Sequence, residues 1–420
     1  MLLGEINSVY DQDDRKYDLT TELSSGGQGR VYRTRSSTDL VKLFHSGSNA
    51  LEEIARVRRM PLMDLPVARP MSLIKEPGGY TLQFQRDMDV VRALKYVHTN
   101  SVKDWWLDTG GLGRRLLLAA KIASIFEILH SRGLVYGDVS SNNIMVSKSI
   151  EYDEVSLIDI DNLFYFGEKD SWKIWTPTYS APEVSVNARV PSFASDDFSL
   201  AVVLYEMITM VHPFMDGDSV KQAPTESGYY QDALNCMVPS VLDVSENNEC
   251  SNYPIQKKEE LLGTNLINLF DQMFKSRNIN IENRPRVGTL RLNLVREFLT
   301  TIECEKCSWS YSVNYLSICP DCGNAEKCFR IKFLSTDGKS TAYEIVLGSI
   351  TKTLDLSLLF PILQEYDRVK GSYVIDFMML NRKIRAVPRS HEKIDIPRNI
   401  GDSAIAKIVG LGEIKIELVI

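Results

Sequence analysis

The chain has no long uninterrupted apolar run. Its most apolar stretch, Leu116 to Leu129, is broken by Lys121, Ser124 and Glu127, which leaves it too short and too polar for a bilayer span of about 20 residues. Cysteine is sparse: seven in 420 residues exclude a scaffold stapled by disulfides. Four of the seven stand in two Cys-x-x-Cys pairs, the usage of a metal site in a reducing compartment. Histidine is scarcer, at five, and none stands at metal-ligand spacing. The segment Met1 to Lys16 lacks an apolar stretch followed by a small-residue cleavage site, so it is not read as a secretion signal, and a cytoplasmic location is expected. An excess of one charge is also missing. With 48 Lys plus Arg against 55 Asp plus Glu, a net −7, there is no electrostatic case for nonspecific nucleic-acid or anionic-membrane binding.

What is present is ordinary globular composition, 44% hydrophobic and 25% charged, and a length that suggests two or three domains at roughly 150 residues each. There is no internal repeat and no low-complexity tract. Residues from about 15 to 90 read as short strands punctuated by Gly26, Gly27, Gly29, Pro61, Pro66, Pro70, Pro77 and Gly78-Gly79. From about 100 to 298 the pattern is mainly helical. Leu116, Leu117, Ala120, Ile122, Ala123, Phe126 and Leu129 form a stripe near period 3.6, and Phe198 to Ile208 and Leu261 to Phe274 are further helix candidates. Beyond Cys304, alternation returns at Phe329, Ile331 and Phe333, at Tyr343, Ile345 and Leu347, and at Ile414, Ile416 and Leu418. Asp337-Gly338 signals a tight hairpin, and Leu354 to Tyr366 reads as a short helix.

Chemistry concentrates in a few segments. Ser24-Ser25-Gly26-Gly27-Gln28-Gly29-Arg30-Val31 is a glycine-rich turn, followed by Val41-Lys42-Leu43 with its lysine eleven residues beyond Val31. Taken alone, such a turn is read as an ordinary loop, because loops use glycine wherever φ must be positive. Together the two segments have the layout of a hairpin over nucleotide phosphates and a strand presenting an inward lysine. Tyr136-Gly137-Asp138-Val139-Ser140-Ser141-Asn142-Asn143 then sets an Asp five residues before an Asn, and Val155 to Asp161 ends an apolar strand on Asp159. Any one of these acids alone would be read as a turn or cap residue. In this order they resemble the catalytic and metal-binding loops of the protein-kinase superfamily. Thr176-Pro177-Thr178-Tyr179-Ser180-Ala181-Pro182-Glu183, Ser195-Asp196-Asp197-Phe198, His212-Pro213-Phe214 and Arg284-Pro285 extend the resemblance over residues 15 to 298.

The resemblance implies an ATP-dependent Ser/Thr protein kinase using Mg²⁺ (or Mn²⁺), with a protein substrate. Ser25, Gly26, Gly27, Gly29 and Val31 would cover the nucleotide. Lys42 would neutralise phosphate charge, held by an acid on the next helix, Glu53 with Glu52 as competitor. Asp138 would orient and deprotonate the acceptor hydroxyl, while Asn143 and Asp159 would hold the metal. Glu183 and Arg284 would form a buried pair, and Asp196 would brace the catalytic loop. Several positions depart from the family. Tyr136-Gly137 replaces His-Arg, which removes the receptor for an activation-loop phosphate. Ser140 replaces a lysine, Ser24 the first glycine, and Asp161 the glycine of Asp-Phe-Gly, as a further Mg²⁺ ligand or a solvated turn residue. The Gly-Asp loop and Asp-x-Asp resemble atypical bacterial kinases of the tellurium-resistance-associated type. A pseudokinase scaffold and a small-molecule kinase are the competing readings.

Cys304-x-x-Cys307 and Cys319-x-x-Cys322, eleven residues apart, supply two tight turns of thiolates for a tetrahedral, structural Zn²⁺ site; a redox dithiol is the alternative. Cys328, Cys236 and Cys250 read as core residues, and His130 and His212 as structural. The expected architecture is α+β: a bilobal kinase-like domain over 1–298 (lobes about 15–90 and 91–298), a four-cysteine zinc ribbon over 299–326, and a small β-rich α+β domain over 327–420 for a protein partner.

Overall fold

The structure, a computed structural model, describes residues 6–27, 29–45, 50–95, 97–99, 101–169, 174–243, 248–275, 281–334, 341–355, 374–380, 383–388, 403–408 and 412–419. Strands β1 (Ser8–Tyr10), β2 (Lys16–Ser25), β3 (Gly29–Thr34), β4 (Asp39–Phe44), β5 (Leu73–Ile74) and β6 (Gly79–Gln83) form one antiparallel sheet in the order β1-β2-β3-β4-β6-β5. Helix α1 (Ala50–Val57) lies between β4 and β5 in the chain. The alternation along β4 sorts its two faces. Val41 and Leu43 pack with Val9, Tyr17 and Ile74 on one side. Phe44 packs with Tyr80 and with Ile54 of α1 on the other. Lys42 is opposite Tyr80 in register and, by the period of two, shares the face that α1 covers.

The second lobe is helical. Strand β7 (Met88–Val90) leads into α2 (Val102–Asp108) and α3 (Gly111–Ser131), the latter containing the stripe from Leu116 to Leu129. Strands β8 (Leu134–Val135), β9 (Ile144–Ser147), β10 (Val155–Leu157) and β11 (Phe164–Tyr165) pair as β10-β9-β7 and β11-β8. They carry the acid-bearing loops. After the short α4 (Pro182–Ser185), α5 (Phe193–Thr209) is buried along nearly its whole length. It starts with a reciprocal cap: Ser192 Oγ accepts from the Ser195 amide, and Ser195 Oγ from the Ser192 amide. Helices α6 (Asp218–Gln222), α7 (Gly228–Leu234), α8 (Lys258–Lys275) and α9 (Val287–Thr300) complete the lobe. Helix α8 is interrupted at Gly263, whose φ of 64° lies in the left-handed region, and the Tyr315 ring fills the space a side chain would need there.

The cysteine segment follows α9 without a linker. Hairpin β12 (Thr301–Glu303) and β13 (Ser310–Ser312) begins at the residue after the helix. Gly113 of α3 donates to Ser310 Oγ at 3.2 Å, Trp309 Nε1 donates to Gln256 Oε1 at 3.3 Å, and the Tyr315 hydroxyl donates to Glu297 Oε1 of α9 at 2.7 Å. Strands β14 (Phe329–Leu334), β15 (Thr341–Leu347), β16 (Lys352–Asp355), β17 (Val374–Leu380), β18 (Lys383–Pro388), β19 (Ser403–Ile408) and β20 (Gly412–Val419) build two antiparallel sheets, β15-β14-β20-β19 and β16-β17-β18. Ile331, Ile345 and Phe377 join the same core as the helical lobe. The helix expected over 354–366 is corrected at its start. Leu354 and Asp355 end β16, paired with Ile375 and Val374, because the β17 partner recruits the segment into a ladder. The rest of that stretch, like the Asp337-Gly338 turn, lies outside the described residues.

Candidate active site

The sheet and the helical lobe meet around Lys42, Asp138, Asn143, Asp159 and Asp161. The loop between β8 and β9 carries Asp138. Its shape is set from below by Asp196 of α5, whose two carboxylate oxygens accept from the Tyr136 and Gly137 amides at 2.7 and 2.9 Å. His130 Nε2 adds a contact to the same carboxylate at 3.3 Å. The Tyr136 ring is buried and its hydroxyl donates to the Ile158 carbonyl. The position occupied in the resembled family by histidine thus still ties the loop to the strand before Asp159. Inside the loop, Asn143 Nδ2 donates to the Asp138 carbonyl at 2.9 Å, and the Asn143 carbonyl accepts from the Ile158 amide at 3.0 Å.

Asp138 accepts from the Thr176 hydroxyl at 2.7 Å. Burial raises its pKa above the usual aspartate value despite that bond, which brings it closer to the range useful for a base. In the sequence Thr176 is only the first residue of a motif, with no role at the site. Beyond it, the segment is anchored at three points. Arg284 Nη1 meets Glu183 Oε1 at 2.7 Å, with both side chains buried. The Tyr179 hydroxyl donates to Glu206 at 2.6 Å, and Lys95 bridges Glu206 and Asp216 at 2.8 Å each. His212 Nδ1 accepts two amides, from Phe214 and Met215, so Nε2 carries the proton that reaches the Thr178 carbonyl at 3.0 Å. Burial holds that ring below the usual histidine pKa. No spacing in the sequence flags Lys95 or Glu206.

Lys42 departs from expectation. Its Nζ donates to Asp159 Oδ1 and, at 2.7 Å, to Asp161 Oδ2. Burial opposes its charge, but Asp161 and Asp159 outweigh this and raise its pKa. The expected partner Glu53 is elsewhere: half-exposed, its carboxylate takes Lys169 Nζ at 2.7 Å. The physical reason lies in α1. Its inward residues are Leu51, Ile54 and Val57, and Glu53 sits one residue, about 100° of rotation, from Ile54. Turning Glu53 inward would expose Ile54 and Val57, at about 1.5–3 kcal/mol for each side chain fully exposed. Glu52 is exposed as well.

Asp161 is buried rather than a solvated turn residue. Burial and the Asp159 charge push its pKa up to about 6 against the pull of Lys42. Its Oδ1 is buried with no hydrogen-bond partner. An orphaned carboxylate oxygen beside a second carboxylate suits a hard divalent cation such as Mg²⁺. In the glycine-rich turn, Gly26 N donates to Gly29 O at 2.9 Å, and His45 Nε2 lies 2.9 Å from Gly26 O. A side chain at Gly26 or Gly27 would meet open space, whereas one at Gly29 would collide with the Leu43 carbonyl. Gly29 is therefore needed for the close approach of β3 to β4. Val31 faces Lys42 across that pair, and Ser25 ends β2 opposite Arg30.

The four cysteine sulfurs lie within 4.8 Å of one another, with Cys304–Cys322 at 3.6 Å and Cys307–Cys319 at 3.5 Å. A tetrahedron with metal–sulfur bonds of about 2.3 Å has edges of about 3.8 Å, so the set fits Zn²⁺. Asn324 Nδ2 points at Cys304 Sγ, 3.8 Å away.

Residues 83–280 match the model of the protein kinase domain. Among curated relatives, a probable cAMP-dependent protein kinase catalytic subunit of Encephalitozoon cuniculi is 27% identical over 243 residues, 54% of this chain and 73% of that protein. Serine/threonine-protein kinase pim-2 of Danio rerio is 25% identical over 242 residues, 50% and 74% respectively. Serine/threonine-protein kinase pkn2 of Myxococcus xanthus is 26% identical over 218 residues, 48% and 25%. The fold and this match define a protein kinase domain. The chain is an enzyme of the protein serine/threonine kinase class, with β-rich modules and a four-cysteine cluster appended. No helix among the described residues is long and apolar enough to cross a membrane.

Proposed function

We propose that the chain transfers the γ-phosphate of ATP to Ser or Thr hydroxyls of a protein substrate, itself included, and that its C-terminal modules recruit that substrate or another protein partner. The observation that carries this reading is the convergence of Lys42, Asp138, Asn143 and Asp159 on one cleft, with Asp138 hydrogen-bonded to Thr176 at the foot of the activation segment. Asp138 would orient the acceptor hydroxyl and take its proton. Lys42 would meet the phosphates under the turn of Ser25, Gly26, Gly27 and Gly29. Asn143, Asp159 and the free oxygen of Asp161 would hold Mg²⁺, which when bound offsets the charge of the transferring phosphoryl group. Cys304, Cys307, Cys319 and Cys322 would hold a structural Zn²⁺, with no position left for water. Thiolates kept for metal support a reducing, cytoplasmic location. The Gly-Asp loop and Asp159-x-Asp161 support a tie to tellurium-resistance-associated kinases.

Intact mass after incubation with Mg²⁺-ATP, beside Asp138→Asn, tests the reading. Mass should rise in the wild type and not in the variant, which should still bind nucleotide. Equal gain in both removes Asp138 from the mechanism. If neither phosphorylates itself or a mixture of protein substrates while both bind ATP, the chain is a scaffold rather than a catalyst, a reading that buried Ser140, standing in place of a lysine, would then favour.

A further inference from the structure

We infer that Asp161 is the residue that positions Lys42 for nucleotide, the task expected of an acid on helix α1. The inference rests on the reading of Lys42 as the phosphate-binding lysine. Asp161 Oδ2 accepts from Lys42 Nζ at 2.7 Å, and the two side chains are 6% and 7% exposed, so the pair is shielded from water. The inward face of α1, Leu51, Ile54 and Val57, holds no carboxylate. The helix is also held against rotation: Arg56 Nη2 donates to the Leu163 carbonyl and Nη1 to Glu168, each at 2.8 Å. Both acceptors lie just after Asp161, so α1 is tied to the segment that carries the alternative acid.

The backbone explains how two acids reach one lysine. Asp159 has a φ of 57° and precedes the short 3-10 turn Ile160–Asn162. Asp159 and Asp161 face the cleft, while Ile160 between them is buried in the core of the helical lobe. Two carboxylates then serve two needs. Asp161 keeps the lysine through Oδ2, and Asp159 is free to give its oxygens to a cation without leaving Lys42 unpaired. A kinase built this way needs no movement of α1 to complete its lysine contact.

A double-mutant cycle on nucleotide affinity tests this, using the full chain and a non-hydrolysable ATP analogue without added Mg²⁺, so that only the lysine contact is read, and calorimetry, with thermal melts to confirm folding. Asp161→Asn and Lys42→Met should each raise Kd on the order of 10-fold, and the double variant should raise it no further than either alone. Glu53→Gln and Glu52→Gln, both on the exposed side of α1, should leave Kd within about 2-fold. Multiplication of the two effects to roughly 100-fold would show that Asp161 acts independently of Lys42 and would overturn the inference. So would a loss in Glu53→Gln or Glu52→Gln matching that in Asp161→Asn. A wild-type chain that binds no nucleotide at all would instead overturn the reading of Lys42 beneath it.

Discussion

Glu297 illustrates what a single buried carboxylate does to a protein's pH response. One of its oxygens accepts from Tyr315 at 2.7 Å, the other is buried without a partner, and burial pushes its pKa up to about 7 from the ordinary 4.5. Between those two values the folded chain holds a proton that the unfolded chain has released. Stability therefore falls as pH rises through this window and levels off above it, by up to about 3 kcal/mol for this group. Asp197, raised to about 6 by burial, acts in the same direction. Glu297→Gln keeps the shape and the acceptor for Tyr315. Its melting temperature should be flatter than wild type's between pH 5 and 7.5, and higher at pH 8; parallel curves would place the proton elsewhere. At the same scale Gly29 was legible as a glycine of a tight turn, but the Leu43 carbonyl that forbids a side chain there belongs to another strand.

Among the elements, α5 decides the catalytic loop, because Asp196 reaches the Tyr136 and Gly137 amides from its first turn. Its start depends on the Ser192–Ser195 cap, and Ser192→Ala should lower unfolding free energy by about 1 kcal/mol in denaturant titration. A loss of several times that would mean that Ser192 does more than cap. The activation segment is the other decisive element. It is pinned at Glu183, Tyr179 and Thr178 by contacts already present without a phosphate, and Gly137 stands where an arginine would receive one. Complete dephosphorylation should therefore leave kinase activity within about 2-fold, since Gly137 offers no charge-assisted contact to lose. Inactivation by phosphatase would reveal a receptor elsewhere. These anchors were half legible. The Pro-Glu and Arg-Pro pairs stood at recognisable spacing, whereas Lys95 and Glu206, 111 residues apart, meet only through folding.

At the scale of the whole molecule, the cysteine module is a clasp rather than a tethered bead. Tyr315 spans the kink of α8 and Glu297 of α9. Lys352 is half-buried, its pKa pulled down to about 7 by desolvation; it donates to the Phe298, Leu299 and Thr301 carbonyls at 2.7–2.8 Å, where the end of α9 favours a cation. If zinc holds the four thiolates, a strong chelator should lower the melting temperature of the kinase domain itself and not merely loosen residues 301–325. Scanning calorimetry with bound-metal analysis checks this. Absence of bound metal, or a kinase transition unmoved by chelation, would sink it.

The candidate site was local enough for its residues to be picked out from the sequence. Asp138 and Asn143 share one loop, Asp159 follows one strand, and the four cysteines sit in two turns, so spacing along the chain already carries their geometry. The strand-rich first lobe, the helical second lobe and the alternating strands at the C-terminal end were equally legible, because hydrophobic period reports which face of an element is buried. What spacing cannot carry is the choice among partners distant in sequence. Glu53 had the right charge and a plausible position, yet burial of Ile54 and Val57 turned it toward Lys169 and left Lys42 to Asp161. Only the packed structure could decide that, because the outcome depends on which face of α1 the sheet covers, and that face is chosen by apolar burial rather than by the acid.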